Sequence, residues 1–152
     1  LLILSILFAA KFNYTSSIAE YSFEEIFSWQ SITWMALFNF ILFYSLAILY
    51  KNDTAKHMRF MIVTAVIMIG PSLSRIITAY FPISPESYID YIQLYFKVSL
   101  VAVFLAIDII KKKDWKPYLI ILLAFIFSTF VYHARYSEAW LGFGRFVVNT
   151  FY

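Results

Sequence analysis

"SITWMALFNFILFYSLAILY", from Ser31 to Tyr50, is twenty residues without one charged side chain. At about 1.5 Å per residue such a run measures about 30 Å as a helix, the thickness of a bilayer's hydrocarbon core. Working outward, the runs 57–80, 90–110 and 117–133 approach or exceed that length, and a partial run 1–10 and a short run 139–152 flank them. The period-2 alternation of roughly ten-residue strands that marks an outer-membrane barrel is absent. The sequence therefore predicts an all-α fold, a polytopic transmembrane helix bundle of about five to six helices, forming one integral membrane domain over residues 1–152.

Composition agrees. The chain is 62% hydrophobic, 22% aromatic and only 14% charged, with a mean hydropathy of +0.77. A water-soluble domain of this size still exposes about a third of its unfolded surface and cannot hide so much apolar area. With no cysteine there is no disulfide framework, thiolate metal site or cysteine nucleophile. The net charge of +3 is small, and the basic residues fall in inter-helix loops and at isolated membrane positions, which favours a membrane-topology reading over nucleic-acid binding. The chain opens on Leu1 inside "LLILSILFAA", without the positive n-region of a signal peptide. We read residues 1–10 as the tail of a helix and expect a longer protein.

Local signals set the boundaries. Asn52, Asp53 or Thr54 offers an N-cap for the second long run. Ser84 before Pro85 starts the third, and Asp114 or Trp115 before Pro117 starts the fourth. Trp29, Trp34, Trp115 and Trp140 all fall near run ends, as interfacial aromatics do. The loops 51–59 (Lys51, Lys56, Arg59) and 111–116 (Lys111, Lys112, Lys113, Lys116) hold seven basic residues, against two, Lys11 and Arg135, in the alternate loops. The positive-inside rule places 51–59 and 111–116 in the cytoplasm. The acidic loop with Glu20, Glu24 and Glu25 and the turn "FPISPES" then face outward.

Three basic residues interrupt the apolar runs. Arg75 lies about 26 Å above the start of its helix, and Lys97 and Arg145 lie about 9 Å inside theirs. All three reach the outer half of the bilayer, where charge is costly and marks function, pairing or snorkelling. Ser72 precedes Arg75 by three residues and Gln93 precedes Lys97 by four, so each pair shares a helix face. Gly70 and Pro71 predict a kink beside them. Arg75, Lys97, Ser72, Gln93 and Arg145 are thus the candidate ligand-binding residues, suited to a lipid phosphate, a quinone or a carboxylate. Asp90 lies two turns from Lys97 and is poorly placed as its direct partner.

At the cytoplasmic side His57 opens one helix and Asp108 closes the next, so antiparallel neighbours bring them to one level. They form a possible acid–base pair or an interfacial hydrogen bond. His133 falls at the opposite side of the membrane, so His57 and His133 do not ligate one haem or metal, and a bis-histidine haem needs residues from elsewhere. The sequence assigns no metal and names no cofactor. It carries no Gly-rich phosphate loop, H-E-x-x-H or G-x-S-x-G motif. "NYT" at Asn13–Thr15 is an isolated sequon.

The stretch "YKNDTAKHMRFMIVTAVIMIGPSLSR" resembles a segment of a family of bacterial multi-pass membrane proteins of unassigned activity. Their pattern is a basic loop, an H-x-R-x-M block, an apolar stretch, then a proline and a small-x-x-R ending. His57, Arg59, Met61, Pro71 and Arg75 match it, and "AWLGFGRFVV" is similar to a W-x-x-F-x-R/W ending; Lys116 stands where that pattern often has histidine before proline. The resemblance implies six to seven helices and the bacterial inner membrane, and no chemistry. Three functions stay open: a non-catalytic subunit of a larger membrane complex, whose partners are membrane lipids and other membrane protein subunits; a binder or carrier of a lipid or quinone in an outer-leaflet pocket; and a membrane enzyme using His57 and Asp108.

Overall fold

The computed structural model describes residues 2–80 and 87–151, with side chains for all of these except Leu2, Ile3, Ile6, Pro71, Ser74, Arg75, Thr78, Ser87 and Phe151. Among the described residues the fold is all-α: α1 (Leu2–Ser17), α2 (Phe23–Trp29), α3 (Ser31–Leu49), α4 (Thr54–Tyr80), α5 (Ser87–Ile110), α6 (Lys116–His133) and α7 (Glu138–Phe151). Phe23–Leu49, Tyr88–Ile110 and Lys116–His133 are long and apolar enough to cross a membrane. No more than a third of each span is buried inside the protein, which suits helices whose solvent is lipid.

The helix starts follow local chemistry. Asp53 caps α4: its Oδ1 accepts from the Lys56 backbone N–H at 3.1 Å, and its carbonyl accepts from the His57 N–H at 2.9 Å. Trp115 stands before α6, where its carbonyl accepts from the Leu119 N–H at 3.1 Å; Pro117 then falls in the first turn, which needs no N–H. The helix α4 runs on through Gly70 and Pro71 to Tyr80. The expected start at Ser84–Pro85 lies outside the described residues.

One short helix was not expected. The acidic stretch read as a loop contains α2, closed by a capping box in which Glu25 N–H donates to Ser22 Oγ and Ser22 N–H donates back to Glu25 Oε2. The helices group into two compact units, Leu1–Leu37 with Ser128–Tyr152, and Phe38–Phe127.

In the first unit α1, α2 and α7 gather around Phe27, which is fully buried. Its ring lies 5.7 Å from those of Phe23 and Trp140, and 6.2 Å from Phe143. The Trp140 indole N–H donates to the Phe27 carbonyl at 3.3 Å, and the Gln30 amide N–H donates to the Ala10 carbonyl at 3.0 Å. In the second unit α4 packs along α5, with Phe60, Val63, Ile67 and Val101 buried and Phe43 edge-on to Phe125 at 5.7 Å.

Gly144 lets α7 approach α2. A Cβ there falls 2.5 Å from Phe27 Cδ1, whereas one on Gly142 meets nothing within 4 Å. A Phe27 ring walled in by Phe23, Trp140 and Phe143 has little room to yield. Gly144→Ala is therefore expected to cost about 1–3 kcal/mol by overpacking, and Gly142→Ala to stabilise by about 0.5–1 kcal/mol through helix propensity. Thermal unfolding of both variants in one detergent checks this; equal melting temperatures overturn it.

Candidate functional site

The polar groups of the second unit collect at two levels. The first is the end where α4 starts and α5 stops. Arg59 Nε donates to Asp108 Oδ2 at 2.7 Å, and both side chains are about nine-tenths buried, at 11% and 9% exposure. Arg59 Nη1 also donates to the Ala55 carbonyl at 2.8 Å, and its guanidinium sits 5.7 Å from the Tyr118 ring centroid. Asp108 is held by its backbone too. Lys112 adopts a positive φ of 52°, which turns the Lys113 N–H back onto the Asp108 carbonyl at 2.8 Å and the Lys112 N–H onto Ile109 at 3.0 Å. That is the hydrogen-bond pattern of a Schellman motif, made here without glycine.

The expected His57–Asp108 pair is not formed. His57 Nδ1 lies 2.8 Å from the Ala47 carbonyl on α3, and the partner of Asp108 is Arg59. The chain directions gave the right level. Residues 57 and 59 lie about 200° apart around a helix, so only one of them can face α5. An open cavity of about 560 Å³ adjoins the pair, lined by Met58, Ile62, Tyr118, Lys113 and Asp114 as well as Arg59 and Asp108. Nearby, Lys56 Nζ bridges Asp53 at 2.9 Å and Asp114 at 3.7 Å.

The second level is further along α4 and α5. Lys97 and Gln93 are buried, at 9% and 6% exposure. A Cβ on Gly70 lies 3.0 Å from Gln93 Oε1 and 3.1 Å from Lys97 Nζ. The small residue on α4 thus gives two long polar side chains of α5 somewhere to lie. Ser72 does not join them: it is exposed, because α4 buries the phase Phe60, Val63, Ile67 and Gly70 and residue 72 is about 200° from residue 70. The Arg75 side chain lies outside the described residues. Arg145 is exposed on α7, in the first unit.

Sequence reasoning missed Arg59 as a site residue, although it was counted among the loop charges. The signal was a basic residue one turn inside α4 at the level of a carboxylate one turn from the end of α5. Among the described residues no three of His, Cys, Asp and Glu gather to hold a metal ion.

Two outcomes follow. Asp108→Asn, or Arg59→Met alone, leaves a buried charge uncompensated and is expected to cost about 3–5 kcal/mol, whereas Arg59→Met with Asp108→Leu recovers most of the loss. Melting of the three variants in detergent checks it; additive losses count against a coupled pair.

The second outcome concerns pH. The Asp53 carboxyl is held below the ordinary carboxylate range, chiefly by the hydrogen bond from the Lys56 side chain and then by the Lys56 backbone N–H. With the folded value below the unfolded one, the ionised cap's contribution is complete above the ordinary range and is lost as pH falls through the folded value. The wild-type chain is expected to lose more melting temperature than Asp53→Asn on acidification below about pH 4; parallel curves contradict it.

No family model matches this chain, and neither a curated protein nor a solved structure shows significant similarity to it.

Proposed function

We propose that the chain is a non-catalytic integral protein of the bacterial inner membrane that packs as a subunit of a larger membrane complex. One observation carries this reading: the two groups expected to form an acid–base pair do not face one another. Asp108 is neutralised by Arg59 at 2.7 Å, and His57 is turned to the Ala47 carbonyl. With Nδ1 given to that carbonyl His57 keeps the lone pair of Nε2, but Asp108 does not serve it as an acid–base partner; both groups join helices instead. The spans also present large side chains outward, among them Phe96 and Val103 on α5 and Leu123, Phe127 and Phe130 on α6. Such faces suit lipid and further helices.

In this reading the basic segments 51–59 and 111–116 face the cytoplasm, and α4 crosses the bilayer between α3 and α5. The chain has no cysteine of its own, so single cysteines at Thr54 and Lys112 report cleanly. Both are expected to resist a membrane-impermeant thiol reagent in intact cells and to react after lysis; labelling of both in intact cells reverses the orientation. Purification in a mild detergent is expected to bring down stoichiometric membrane partners. A chain that emerges alone and monodisperse from native membranes overturns the subunit reading.

A second reading, a binder of a lipid phosphate or quinone in the outer leaflet, is favoured by Lys97, a lysine buried in an apolar span against Gly70. Bound lipid or quinone that is extracted from the wild-type chain and lost in Lys97→Met supports it.

A further inference from the structure

The cavity at the basic end of the second unit holds charges that the Arg59–Asp108 pair does not use. Of its four charged lining residues, Arg59 and Asp108 satisfy each other at 2.7 Å and are about nine-tenths buried. The other two are accessible. Lys113 is exposed, and among the described residues its ammonium makes no ion pair. Asp114 is 37% exposed at its side chain; Oδ1 accepts from the Lys116 N–H at 3.2 Å, while Oδ2 has only Lys56 at 3.7 Å. Opposite charges thus stand on consecutive residues, about 3.8 Å apart at Cα. Their backbone is fixed in advance, which lowers the cost of binding: the left-handed turn at Lys112 ties the Lys113 N–H to the Asp108 carbonyl, and Asp114 is tied to the first turn of α6.

The cavity lies at the edge of the spans. Lys113 and Asp114 fall between Ile110 and Lys116, where two of them end. On α4, Met58 and Ile62 line the same cavity and are 52% and 41% exposed. Ile62 is about 4.5 Å further along α4 than Arg59, away from the charged end. A charged rim therefore passes into an apolar wall that leads toward the bilayer. The rim carries both signs, which decides what it takes. A simple anion drawn by Lys113 meets Asp114, and a simple cation drawn by Asp114 meets Lys113. A ligand with both charges on one short arm meets each with its opposite.

We infer that this cavity seats the headgroup of a zwitterionic phospholipid bearing a primary ammonium, an ethanolamine phosphate. The phosphate accepts from Lys113 Nζ, the ammonium donates to Asp114 Oδ2, and an acyl chain lies along Met58 and Ile62. A trimethylammonium head has no N–H to donate to Asp114, and a glycerol head has no cation to offset it. The volume of about 560 Å³ falls within the range of small-ligand sites. The inference rests on reading the chain as an integral membrane protein. It does not rest on the subunit reading or on the site at Lys97.

The test uses the whole chain in micelles of a glycol ether detergent, titrated with palmitoyl-oleoyl lipids bearing ethanolamine, choline or glycerol heads and read by native mass spectrometry. One ethanolamine lipid is expected to bind per chain, about three- to tenfold tighter than either of the others, the worth of one hydrogen bond. Lys113→Gln is expected to weaken all three by a similar factor, since all share the phosphate. Asp114→Asn keeps an acceptor for the Lys116 N–H and is expected to bring the ethanolamine lipid down to the level of the choline lipid. Lys111→Gln, in the same loop but outside the cavity lining, is expected to change none of them. Free phosphoethanolamine in excess is expected to leave the lipid bound; displacement assigns the site to a soluble ligand and overturns the lipid. Equal binding of the three lipids, a preference that survives Asp114→Asn, or a loss in Lys111→Gln as large as in Lys113→Gln also overturns the proposal. Should a variant fail to fold, the ranking of the three lipids on the unaltered chain still decides. Membrane integration is judged apart from lipid choice: a chain that a carbonate wash strips from the membrane overturns that reading, whichever lipid binds in micelles.

Discussion

Helices in lipid gain little from burying apolar side chains against one another, because the acyl chains they displace are as apolar as leucine. What selects one arrangement is close approach and polar pairing. Each unit of this chain shows both. In the first, Gly144 admits the Phe27 ring to the surface of α7, and the Trp140 and Gln30 side chains reach backbone carbonyls on neighbouring helices. In the second, Gly70 admits Gln93 and Lys97, and Arg59 clasps Asp108. Glycine appears where helices must touch, and a hydrogen bond appears where they must keep register.

The Arg59–Asp108 pair shows why position along the helix matters for charge. In the middle of a bilayer the desolvation of two ions is hard to recover. At the basic end of α4 and α5 the pair is shielded by Tyr118 yet close to Lys113 and Asp114, so its field is partly met by water and neighbouring charge. The backbone adds a second restraint. The left-handed turn at Lys112 returns N–H groups to the last carbonyls of α5, which leaves the Asp108 side chain free to serve α4 while its carbonyl closes its own helix. One residue thus ends a helix and fastens it to its neighbour.

How much of this was legible in the sequence depended on the kind of signal. Length and apolarity gave the helical class, since α3 and α6 match the runs 31–50 and 117–133 within a residue or two. Antiparallel order gave the level of Asp108. Azimuth was not legible: a level is shared by every residue of one turn, and choosing His57 over Arg59 missed the packed face. The same error put Ser72 with Lys97, because spacings of three and four define two adjacent stripes on α4 and only contact with α5 selects the one through Gly70. The short α2 was legible and misread, since Ser22 and Glu25 are a capping-box pair but the acidic residues suggested a loop. The stop of α5 was read only as the end of the apolar run 90–110, whereas the left-handed residue that closes it is Lys112, with no glycine to announce it.

The two units differ in how far their polar groups are satisfied. At the basic end of the second unit, Arg59 and Asp108 meet each other, His57 meets a carbonyl, and Lys56 meets two carboxylates. These charges are matched within the protein. In the first unit Gln30 spends its N–H on Ala10 and keeps an oxygen unmet, while Trp34 keeps its N–H unmet one turn away. Helix register alone would not need either orphan, since leucine and phenylalanine would fill the same space without a buried polar cost. Both atoms are closed off even with the groove beside them empty, so their cost is carried by the packing of the first unit itself.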